Sequence, residues 1–93
     1  MNEPAIVNYG RCFIDHYPIK EYRDSLIRAF KNHRADFIVL DDNPKRQKFL
    51  AASIAWAIDH GLLYNDRNAD DTQQIVSSFR LTTKGKIEIL GPL

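Results

Sequence analysis

The sequence predicts an α+β fold, and three observations lead there. Small and apolar residues recur at helical spacing from Pro44 to His60, and the run stops at Gly61. Ile75 to Leu81 alternates instead, with Ile75, Ser77, Phe79 and Leu81 on one face and Val76, Ser78 and Arg80 on the other. Leu62-Leu63 opens a strand between the two, and the polar segment Asn65–Gln74 joins that strand to the alternating one. The 93 residues fit one domain with a modest core.

The remaining elements follow in chain order. Pro4 suits the first turn of a helix that carries Ile6, Val7, Tyr9, Phe13 and Ile14 to His16, with Gly10 interrupting it at about 1 kcal/mol relative to alanine. Tyr17-Pro18 ends this helix, because a residue before proline avoids the α region. A second helix starts at Pro18, with Ile19, Tyr22, Leu26, Ile27 and Phe30 as one apolar stripe, and closes near Asn32-His33-Arg34. Phe37-Ile38-Val39-Leu40 fits a buried strand or a short buried helix, and its β-branched pair leans to the strand. Asp41-Asp42-Asn43-Pro44 is a helix start, with Asn43 or Asp42 as cap and Pro44 at the first helical position. Along the Pro44 helix, Phe49, Leu50, Ile54 and Ala57 form one side. Lys48, Ala51, Ala52, Ala55 and Asp59 form a small, lightly charged opposite side. A threonine after Leu81 caps a short closing helix that takes Ile87 and Leu90 to the core, and Gly91-Pro92 ends it.

Composition narrows the function classes. No apolar run reaches the roughly 20 residues of a membrane helix. The start Met1-Asn2-Glu3-Pro4 lacks the pattern of a signal peptide, and the single Cys12 fits a reducing compartment, so a cytoplasmic location is expected. The net charge of +1 is unevenly spread. Counting Lys and Arg against Asp and Glu, residues 19–34 carry +3, 44–61 carry +2 and 75–93 carry +2, whereas 1–18 carry −1, 35–43 carry −3 and 62–74 carry −2. Proteins that hold nucleic acid by charge alone are usually more basic.

Gly61-Leu62-Leu63 followed by Phe79-Arg80-Leu81-Thr82-Thr83-Lys84-Gly85 resembles the C-terminal half of winged-helix regulators of the MarR and related bacterial groups. In those groups a recognition helix runs into a GLL-type strand, a charged wing and a strand ending in LTxKG. The resemblance covers about half of the chain. It implies a winged helix of three helices, a two-stranded hairpin wing and a short C-terminal helix, serving DNA binding in transcriptional control. The Pro44 helix would then enter the major groove. Lys45, Arg46 and Lys48 at its start, Arg67 in the wing, and Arg80 and Lys84 after it would be the DNA-binding residues. Asp66, Asp70 and Asp71 outnumber Arg67 in that wing and oppose phosphate contact.

The other class is a non-enzymatic protein-interaction module on the same frame. A DNA reader needs a continuous positive surface around the Pro44 helix, whereas an interaction module needs an exposed apolar or alanine-rich face. Double-stranded DNA, a protein partner and a second copy paired through the N-terminal helix are thus the partners to weigh. Cys12 and His16 stand four apart, a spacing that puts both on one helix face and permits a thiol or metal site. A buried thiol beside a histidine is the plainer reading. No phosphate loop or paired-acid motif points to an enzyme, and no cofactor or metal is expected.

Overall fold

The computed structural model describes residues 5–32, 34, 37–40, 47–66 and 77–91. Helix α1 is Ala5–Arg11, and a single 3₁₀ turn, Ile14–His16, follows it. The α-helix thus ends one turn before the expected His16. Cys12 and His16 therefore do not share an α-helical face, and Cys12 is exposed rather than buried, its Sγ 3.6 Å from the Asn8 carbonyl. Helix α2, Ile19–Ile27, starts straight after Pro18 and continues as a π-helical turn, Arg28–Asn32. Arg34 beyond it takes the left-handed conformation at φ 52°.

Strand β1 is Phe37–Leu40, so the ambiguous apolar run is a strand. Helix α3 is Lys48–Asp59; its expected start, Asn43 to Arg46, lies outside the described residues. Strands β2, Leu63–Asn65, and β3, Ser77–Leu81, follow. The closing helix α4 is Thr83–Gly85, continued by a π-helical turn, Lys86–Leu90. The sheet is antiparallel in the order β1-β3-β2, three strands where the sequence suggested a two-stranded hairpin. Ile38 pairs with Phe79 and Leu63 with Leu81. These four are buried, so one face of the sheet lies on the core. Ser78 and Arg80 are half-buried on the other face and Tyr64 is exposed there, the alternation expected of β3.

Two local signals act as the sequence indicates. Gly61, at φ 74°, closes α3 in a Schellman arrangement: Leu62 N donates to Ala57 O at 2.8 Å and Gly61 N to Ile58 O at 3.0 Å. Thr82 caps α4, its Oγ1 accepting from Gly85 N at 3.0 Å, while Thr82 N donates to Leu62 O at 3.0 Å. The end of α3 and the start of α4 are thereby tied together.

Helix α3 is the centre of the core. Every residue from Ala51 to Ala57 is buried. The alanine side meets α1, where Gly10 lies directly on the Ala51 backbone and Arg11 pairs with Asp59. The opposite side meets α2, with the Trp56 ring 5.7 Å from that of Tyr22 and Phe49 stacked on Tyr22 at 6.0 Å. Trp56 is a core residue, only 4% exposed. Tyr22 is fully buried, and its hydroxyl reaches the carbonyls of Phe13 and Ile14. Burial pushes its phenol above the ordinary 10.0. The buried part of α1, Ile6, Val7 and Gly10, is spent on this same core.

Candidate functional site

A helix that reads DNA keeps one face free for the groove. Helix α3 has none along its middle, because α1 covers the alanine side and α2 the aromatic side. Its exposed residues stand at its ends: Lys48 at the first turn, Asp59 at the last.

Three of the six cations singled out by the resemblance are among the described residues, and two of them, Lys48 and Lys84, stand at opposite ends of α3. Lys48 is exposed at the amino end of α3, its Nζ 5.3 Å above the Phe13 ring. Lys84 is exposed on α4, at the carboxyl end of α3, where Thr82 and Gly85 pack on Gly61 and Leu62. A helix of α3's 12 residues puts those two ends about 18 Å apart. Arg80 lies on β3, and its Nε donates to the carboxylate of Asp66. The acid expected to repel phosphate from the wing therefore pairs with a cation expected to attract it. Lys45, Arg46 and Arg67 lie outside the described residues.

No family model, characterised protein or solved structure matches this chain. Its own geometry is therefore what any functional reading rests on.

That geometry contains a surface the sequence reading missed. Periodicity puts Ile19 in the apolar stripe of α2 and turns Ile87 to the core, yet each is 60% exposed. Ile19 is the first residue of α2 and is exposed although it continues the stripe of Tyr22 and Leu26. For Ile87 the reason is the seating of α4. Gly85 lies against the Leu62 backbone and Ile89 is buried, so the inward side runs through positions 85 and 89 and turns Ile87 outward. The two helices are neighbours, joined by Arg23 and Glu88 at 3.7 Å.

Helix α2 carries charges of both signs around its outer surface. At 100° per residue, Ile19, Lys20, Arg23 and Ile27 form the flank on the α4 side. Glu21, Asp24, Ser25 and Arg28 form the other flank and, with Phe49, line an open cleft of about 290 Å³. Glu21, Asp24 and Arg28 make no ion pair among the described residues. The described residues hold no group of three or more His, Cys, Asp or Glu placed to bind a metal. No helix among them is long and apolar enough to cross a membrane.

Proposed function

We propose that this chain is a protein-interaction module on a winged-helix-like frame, without catalytic activity of its own. The observation that carries the reading is the burial of Ala51–Ala57 on both sides of α3. A frame that resembles a DNA reader in its order of α3, β2, β3 and α4, yet encloses its central helix, is better suited to present surface helices to another protein. Two exposed isoleucines on adjacent helices support the same reading, since scattered charge contacts with phosphate have no use for them. A homodimer through α1 is not part of this proposal, because Ile6, Val7 and Gly10 are already buried within the chain.

One observation favours DNA contact as a second reading: Lys48 is exposed at the amino end of α3, directly after Lys45-Arg46-Gln47 in the sequence. Such contact would be to phosphate at the helix tip. Fluorescence anisotropy of a labelled duplex, titrated with the full chain across a salt series, separates the two. The interaction reading expects no saturable binding even at about 50 mM salt, where non-specific electrostatic binding is stronger than at physiological salt. Saturable binding with a steep salt slope, reduced by about one on Lys48→Ala, replaces it with the DNA reading.

A further inference from the structure

We infer that the surface formed by α2 and α4 is the docking site of this module, and that its partner presents an acidic amphipathic helix. The inference rests on the interaction reading and names its surface. Ile19, Lys20 and Arg23 share one flank of α2. Lys84, Ile87 and Glu88 are spaced so as to share the outward side of α4 and its continuation, and all three are exposed. The Arg23–Glu88 pair ties the two helices side by side, with an exposed isoleucine on each.

The chemistry selects the occupant. Two neighbouring helices with an exposed aliphatic residue on each match a helix that carries an apolar stripe. Arg23 and Glu88 pair with each other, so Lys20 and Lys84 leave this surface net positive, and a partner with carboxylates beside its stripe is complementary. Duplex DNA would leave both isoleucines against a charged backbone. Two isoleucines are also too little apolar surface for stable seating in a membrane.

The test uses the ¹⁵N-labelled full chain and a synthetic helical peptide of about five turns, with leucine at every third or fourth position and glutamate elsewhere. Saturable micromolar binding is expected, with amide shifts centred on Ile19, Arg23, Lys84 and Ile87. Ile19→Ser with Ile87→Ser should weaken binding by about ten-fold. Both side chains are exposed, so the variant should keep the wild-type circular dichroism spectrum. Lys84→Glu should weaken the glutamate peptide and favour its lysine counterpart. The proposal is overturned if the glutamate peptide does not bind, if its shifts fall elsewhere, or if the double serine variant binds unchanged. Equal binding of the lysine peptide overturns it as well. So do shifts at these four residues with a DNA duplex or anionic phospholipid vesicles but not with the peptide. The interaction reading fails on a different result, salt-dependent DNA binding carried by Lys48, so the two failures are distinguishable.

Discussion

Replacing Gly10 with alanine sets the sequence and the tertiary structure against each other. By helix propensity alone, Gly10→Ala in α1 should stabilise the protein by about 1 kcal/mol. The packing predicts the reverse. A Cβ at Gly10 would fall well inside van der Waals distance of the Ala51 carbonyl and 3.0 Å from the Ala52 nitrogen. These are backbone atoms in the middle of a fully buried helix, so no side chain can swing aside. Either α1 lifts away from α3 or α3 shifts against α2 and its aromatic cluster. Overpacking of this kind costs about 1–3 kcal/mol, and backbone on both sides puts Gly10 at the upper end. Subtracting the propensity gain leaves a net loss of about 2 kcal/mol, or roughly 10 °C in Tm for a domain of this size. Urea denaturation followed by far-ultraviolet circular dichroism and by Trp56 fluorescence would read it. The expected result is a lower midpoint with an unchanged m-value. Gly61→Ala is a useful comparison. A Cβ there meets nothing within 4 Å, so its loss of about 1 kcal/mol comes only from the left-handed backbone at φ 74°. A Gly10→Ala protein as stable as wild type, or more so, would refute the close seating of α1 on α3.

Two further outcomes follow from single side chains. Tyr22→Phe should cost about 1 kcal/mol near neutral pH by removing the hydroxyl that reaches Phe13 and Ile14. The phenol's folded pKa lies above 10.0, so the unfolded chain loses its proton first as pH rises. Stability linked to Tyr22 is therefore whole below pH 10.0 and falls above it, and urea midpoints across that range should fall less in the phenylalanine variant. Thr82→Ala removes the α4 cap and the hydroxyl contact with Gly61, and should cost about 1–2 kcal/mol in the same urea assay. A Thr82→Ser variant that keeps the hydroxyl should recover most of that loss.

The candidate surface was not legible in the sequence, and the reason is geometric. Periodicity says which residues of a helix lie together but not how far along the helix its neighbour reaches. Ile19 continues the stripe of Tyr22 and Leu26 yet is exposed at the first residue of α2. Ile87 sits in a π-helical continuation whose inward side is set by Gly85 against Leu62, a contact between distant parts of the chain.

Other features were written in local chemistry and needed no partner to be read. Gly61 ends α3 because it adopts a left-handed backbone cheaply, and Thr82 starts α4 because its hydroxyl reaches the Gly85 amide. The alternation of Phe79, Arg80 and Leu81 specified a one-sided strand, and the β-branched pair in Phe37–Leu40 favoured the extended chain that was found. These signals act within a few residues, so the sequence by itself determined the end of α3, the start of α4 and the extended character of β1 and β3. Only the tertiary structure decided what the elements are for. The alanine side of α3 suits an open face or a close helix contact equally well, because small residues permit both. It became a core face when Gly10 allowed α1 to settle on the Ala51 backbone. Close approach of two backbones depends on residues 41 positions apart, and no local pattern encodes it.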